Sequence, residues 1–217
     1  SQVNPKDRHH VILCERYGMK IEFYYDFGSP NAYLVHKTLP EIAKTYGVPI
    51  ISRPILLGGV FKATNNKSPM EAFANVAGKL AYEARETERF VENRKIIFQL
   101  NPHFPVNTIA LMRGAIFALG KPWEQSYRDT MFHAMWVDQE KMDDPVTALR
   151  VMEKAGLPAE EILSATQDPA IKAALIQATS QAVARGVFGA PTLIANEDMF
   201  FGKHSLIDLE TMLESLP

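Results

Sequence analysis

The stretch "YYDFGSPNAYL", residues 24–34, decides the fold. It closes the alternating, aromatic-rich run "KIEFYYDF" (20–27), which reads as a strand. Gly28 and Ser29 break that strand, and Pro30 takes the first-turn position a helix tolerates best. Val35, Leu39, Ile42 and Tyr46 then follow at helical spacing, with a kink expected at Pro40 and an end at Gly47. "VPIISRPILL" (48–57) reads as a second strand with its prolines near the ends. A β-α-β unit with parallel strands and a right-handed crossover results.

Outward from this unit, the pattern between Gly58 and Gly186 is helical apart from a proline-marked loop at "NPHFPVN" (101–107). Glu86, Arg89 and Glu92 fall at i, i+3 spacing and read as a solvated, weakly ion-paired face. "MDDPVTALRVMEKAG" and "TQDPAIKAALIQATSQAVARG" each open with Asp-Pro and close with glycine, the marks of capped helices. Ile171, Leu175, Ala178 and Ala182 form the expected buried stripe of the second. "PTLIANEDMFFG" (191–202) reads as a hairpin about an Asn-Glu-Asp turn, and "SLIDLETMLESL" as a closing amphipathic helix. The expected division is an extension over 1–18, a first α/β part over 19–57, an all-helical insertion over 58–186 and a second α/β part over 187–217.

Composition narrows the function. The 217 residues are 47% hydrophobic and 22% charged with a net charge of −2, which suits a globular protein and offers no basic footprint for nucleic acid or anionic lipid. No apolar run is long enough to span a membrane, and Val11-Ile12-Leu13 is too short for a signal-peptide core, so the cytoplasm is the expected location. Cys14 is the only cysteine, which excludes an internal dithiol redox pair. The histidines show no zinc-type spacing, and no metal is expected. On local pattern alone Ser29 reads as an N-cap, worth about 1 kcal/mol.

Four segments together carry a family resemblance: "YYDFGSPNAYL", "FKATNN", "FPVNTIALMRGA" and "ARGVFGAPTLIANEDMFFGKHSL". From Met19 onward the chain resembles the 2-hydroxychromene-2-carboxylate isomerases, relatives of the kappa-class glutathione transferases. The resemblance implies a DsbA-like thioredoxin fold with a helical insertion, reduced glutathione as cofactor, a small aromatic substrate and a homodimer. It implies a cis/trans isomerisation that opens a cyclic hemiketal to a benzylidenepyruvate-type product.

By that resemblance Ser29 occupies the place where redox relatives carry a nucleophilic cysteine, at a positive helix terminus. Its hydroxyl would donate to the thiolate of bound glutathione. Lowering a thiol pKa of about 8.5 by two units takes roughly 2.7 kcal/mol. A charge-assisted hydrogen bond of about 1.5–3 kcal/mol and a helix terminus of about 0.3–1 kcal/mol suffice. No Gly-x-Ser-x-Gly elbow suggests a serine hydrolase.

The resemblance also implies a cis bond before Pro191, with the Ala190 backbone pairing the cysteinyl part of glutathione as an added strand. Asn66 would help hold the ligand, while Phe61 and Phe104 would face an aromatic substrate. Gly202, Lys203, His204 and Ser205 form the turn expected to meet the γ-glutamyl end. Here the chain departs from its relatives, which typically carry an aspartate two positions past the glycine; His204 stands there instead, so a carboxylate for the ligand's ammonium is missing from the turn. Lys79 is a weaker candidate cation. Two alternatives stay open: a kappa-like glutathione transferase, and a non-catalytic thioredoxin-fold protein binding beside Pro191.

Overall fold

The computed structural model describes residues 18–215. The extension expected over 1–18 lies outside the described residues except for Gly18, as does Cys14. Strand β1 (Ile21–Tyr25) is buried along its whole length and sits inside a four-stranded sheet ordered β2-β1-β3-β4. Helix α1 (Pro30–Tyr46) links it to the parallel strand β2 (Ile50–Pro54), in a register that pairs Ile21 with Ile50 and Tyr25 with Pro54. β3 (Thr192–Ala195) runs antiparallel to β1 from Ile21–Ala195 to Tyr24–Thr192, and β4 (Asp198–Phe201) closes a hairpin on β3. A 3₁₀ turn (Lys203–Ser205) and helix α10 (Leu206–Glu214) follow.

Between β2 and β3 lie eight helices: α2 (Leu57–Thr64), α3 (Pro69–Ala72), α4 (Lys79–Arg94), α5 (Ile109–Ala118), α6 (Glu124–Trp136), α7 (Pro145–Lys154), α8 (Ala159–Ala165) and α9 (Pro169–Ala184). The expected thioredoxin-like α/β fold with a helical insertion is therefore present. The Asp-Pro signals mark real starts: Asp144 accepts from the Thr147 amide at 3.0 Å and Asp168 from the Ala170 amide at 2.8 Å. The proline-marked loop is longer than expected, running from Lys95 to Thr108 with a cis Phe104–Pro105 bond. α1 runs as one element through Pro40. In α9 the buried centre of the stripe is Leu175, Thr179 and Ala182, with Ile171 and Ala178 half-buried at its margins. The hairpin turns through Asn196 and Glu197, both at positive φ (48° and 66°), as a tight two-residue turn requires.

Strand alternation divides two cores. Ile21, Phe23, Tyr25 and Phe27 point to the side of α1 and α6, where the Phe27 ring lies 4.9 Å from Phe132 and 6.0 Å from Tyr127. Tyr24 points to the other face, among Ile55, Val60, Ala182, Val187 and Ile194. Each fully buried ring or aliphatic side chain contributes about 1.5–3 kcal/mol. The end of β1 is further pinned by the buried Trp136 indole, whose Nε1–H donates to the Phe27 carbonyl at 2.8 Å. This end carries Gly28 and Ser29.

Candidate functional site

Ser29 caps α1 with an extended backbone, and its Oγ accepts the Ala32 amide at 3.1 Å. The same hydroxyl donates to the Ala190 carbonyl at 3.0 Å, and the residue is 5% exposed. It is thus both a cap and the link between α1 and the loop leading into β3. The Ala190–Pro191 bond is cis, and the Pro191 carbonyl accepts from the Gly202 amide at 3.0 Å. Asn66 joins this loop from the other side: its side-chain amide donates to the Phe188 carbonyl at 2.9 Å. Phe188 in turn lies 4.6 Å from Phe201, ring centre to ring centre. Gly189 lies beneath that pair, where a Cβ would sit 2.9 Å from a Phe201 ring carbon and force the ring to shift.

Asp26, within the opening stretch but not singled out from sequence, organises three segments at once. Oδ1 accepts the Gly28 amide at 2.8 Å and the Thr108 hydroxyl at 2.7 Å, and Oδ2 accepts the Leu57 amide at the start of α2 at 2.8 Å. Ser29 is held by the same residue, its amide donating to the Asp26 carbonyl at 3.1 Å. Burial pushes the Asp26 carboxyl above its ordinary range, opposed by the Leu57 and Gly28 amides and the Thr108 hydroxyl. A buried carboxyl at the break of a strand beside Gly-Ser-Pro was the available signal, but Leu57 and Thr108 are distant in sequence.

The turn after β4 shows the largest departure from expectation. Lys203 is buried, and its ammonium donates to Asn31 Oδ1 at 3.1 Å and Glu86 Oε2 at 2.6 Å. Glu86, expected on a solvated face, is largely buried, with 15% of its side chain exposed. His204 Nε2 stands against Glu86 Oε1 without hydrogen-bond alignment, so Oε1 has no hydrogen-bond donor. His204 is itself mostly exposed and adds a positive charge there only when protonated. A carboxylate does reach the turn "GKHS", delivered by α4 and joined through Lys203 to Asn31, two positions along the chain from Ser29. Ser205 Oγ turns back to the Gly202 carbonyl at 2.7 Å and supports the turn.

Other expected residues sit differently. Phe61 is half-buried on α2, and its carbonyl accepts the Asn66 amide at 3.0 Å. Phe104 packs on Trp136 at 5.9 Å between ring centres, which places it under the Phe27 end of β1. Lys79 pairs with Glu83 and lies 4.9 Å over the Phe73 ring. A cavity of about 650 Å³ opens between the later half of α1, the start of β2 and α6, lined by Phe23, His36, Leu39, Ile50 and Arg128. It shares no residue with the cluster of Ser29, Ala190, Asn66 and Asp26. Among the described residues no cluster of three His, Cys, Asp or Glu side chains could hold a metal, and no helix is long and apolar enough to cross a membrane.

Comparison with known proteins agrees with the fold. A model of the DSBA-like thioredoxin domain matches residues 20–214. The chain is 28% identical to a 2-hydroxychromene-2-carboxylate isomerase of Sphingobium xenophagum over 89% of its own length and 97% of the relative's. It is 26% identical to glutathione S-transferase kappa 1 of Homo sapiens, covering 84% of this chain and 85% of that one. Among solved structures, a 2-hydroxychromene-2-carboxylate isomerase superposes with a TM-score of 0.80 at 26% identity, covering 90% of this chain and 95% of the other.

Proposed function

We propose, for a chain that belongs to the DSBA-like thioredoxin domain family, a glutathione-dependent cis/trans isomerisation of 2-hydroxychromene-2-carboxylate-type intermediates of aromatic compound degradation. The observation that carries this reading is Ser29 at the N-terminus of α1, joined to the Ala190 carbonyl beside cis-Pro191. Similarity to enzymes named 2-hydroxychromene-2-carboxylate isomerase supports the reaction class, and similarity to glutathione S-transferase kappa 1 supports the thiol.

The residues fit glutathione. Ala190 offers backbone for strand-like pairing, Ser29 sets a hydroxyl at a positive helix end, and Glu86 brings a carboxylate whose Oε1 is buried behind His204 with no hydrogen-bond donor. When bound, glutathione supplies a thiolate able to add to a conjugated carbon and leave again, permitting rotation about the bond between. Ser29 stabilises the sulfur anion by hydrogen bonding and is not itself acylated. Asp26 holds Gly28 and Ser29 in place from below. Glu86 receives the amino end of the γ-glutamyl group at Oε1 once the exposed His204 swings off it, while Lys203 keeps Glu86 fixed through Oε2. Asn66 fixes the Phe188 loop, and Phe61 with Phe188 and Phe201 forms the aromatic side. Residues 19–57 and 187–217 then hold the sulfur and the cysteinyl part, and 58–186 supplies Glu86, Asn66 and Phe61. A cytoplasmic homodimer belongs to the same proposal.

The experiment is product analysis with a chromene carboxylate and a stoichiometric amount of glutathione. The isomerase reading expects a benzylidenepyruvate-type product with all glutathione recovered. A stable thioether conjugate, with glutathione consumed, establishes the transferase reading instead. Neither product, with peptide or small-molecule binding beside Pro191, establishes the binding-protein alternative.

A further inference from the structure

We infer that Ser29 is held in reserve by Ala190 and is released to a sulfur anion by a ligand that brings its own amide N–H to the Ala190 carbonyl. The site is thereby selective for cysteinyl peptides over simple alkyl thiols. The inference rests on the thiolate role proposed above.

A serine hydroxyl owns a single proton, and a carbonyl oxygen can only accept. Ser29 Oγ lies 3.0 Å from the Ala190 oxygen, so the proton lies on that line; the remaining contact, 3.1 Å from the Ala32 amide, uses Oγ as acceptor. In this state Ser29 has no proton to offer a thiolate. The Asp26 carbonyl and carboxylate fix the backbone of Ser29 and Gly28 at 3.1 and 2.8 Å, and the Ala32 amide at 3.1 Å retains Oγ itself. With Oγ kept on that amide, what a ligand must redirect is the proton.

Redirecting it leaves the Ala190 carbonyl without its donor. That carbonyl has no ladder partner, since pairing between β1 and β3 ends at Tyr24–Thr192, two residues beyond Ala190. Ala190 is half-buried, and once a bound thiol covers it against water, its carbonyl stripped of the Ser29 donor opposes the transfer. A ligand amide N–H, placed at Ala190 in the manner of an added strand, replaces the donor and removes the opposition. A thiol with no neighbouring amide N–H leaves it in force.

The test follows the ultraviolet thiolate absorbance of bound thiol against pH in the wild type and in Ser29→Ala. The ligands are glutathione and an analogue methylated on the cysteinyl nitrogen. With glutathione, the bound thiol in the wild type titrates about one pH unit or more below that in Ser29→Ala, a tenfold or greater change in ionisation. With the methylated analogue the two proteins give the same value. An equal Ser29-dependent shift for both ligands overturns the inference and leaves the thiolate role standing. No Ser29-dependent shift with glutathione overturns the thiolate role itself. If methylation abolishes binding, hydrogen exchange of the cysteinyl amide in bound, nitrogen-labelled glutathione decides: strong protection supports the inference, and exchange as fast as in free glutathione overturns it.

Discussion

Replacing Asp26 by asparagine separates the stability of the site from its shape. The native carboxylate accepts three hydrogen bonds, from the Gly28 and Leu57 amides and the Thr108 hydroxyl. Asparagine keeps one accepting oxygen and turns an NH₂ group toward one of those donors, a mismatch of about 1–3 kcal/mol. It also removes a carboxyl whose folded pKa is raised by burial above the ordinary value of about 3.9. A group with a raised folded pKa binds its proton more tightly in the folded state. Its contribution is therefore fully present below about pH 4 and is lost as pH rises through the folded pKa, at about 1.4 kcal/mol for each unit of elevation. The stability advantage of wild type over Asp26→Asn is thus largest in acid and shrinks toward neutrality. Urea unfolding of both proteins, followed by tryptophan fluorescence between about pH 4 and pH 8 with slopes compared, reads this directly. A gap that widens as pH rises would refute the reasoning, because Asp26 would then be a carboxylate stabilised by the fold.

Two further substitutions test the packing around the site. Gly114→Ala in α5 places a Cβ 2.8 Å from Tyr127 Cζ and closer still to the hydroxyl that donates to the Leu111 carbonyl. The expected cost is about 1–3 kcal/mol, and Tyr127→Phe in the same chain should recover part of it; an unchanged melting temperature in Gly114→Ala alone contradicts the contact. Lys203→Met leaves Glu86 buried without its cation and should cost about 3 kcal/mol in urea unfolding. Adding Glu86→Leu should restore most of that stability, and strictly additive losses would show that the two side chains are not coupled.

The strand, break and helix around Ser29 were legible because glycine, proline and capping serine act on their immediate neighbours. The same holds for the Asp-Pro helix starts and for the two-residue turn at Asn196 and Glu197. Glu86 was misread because charge spacing along a helix fixes which residues share a face but not what that face meets. Its partner Lys203 is 117 residues away. Ser29 and Ala190 are separated by 161 residues, and Asp26 and Thr108 by 82. Such contacts depend on how the insertion folds back over the β1 end. The expected role of "GKHS" shows the consequence: the turn lacks an acidic residue, yet tertiary structure brings one to it.

The role of Ser29 is tested most directly by titrating the protein with reduced glutathione while following thiolate absorbance, beside Ser29→Ala, with calorimetry to measure binding in each. Loss of the cap costs the variant about 1 kcal/mol of stability, which leaves it folded in a protein of ordinary stability. The account predicts a saturable thiolate signal near neutral pH in the wild type that is lost or greatly reduced in Ser29→Ala, although glutathione still binds. Equal thiolate signals in both proteins would contradict it and reduce Ser29 to a helix cap.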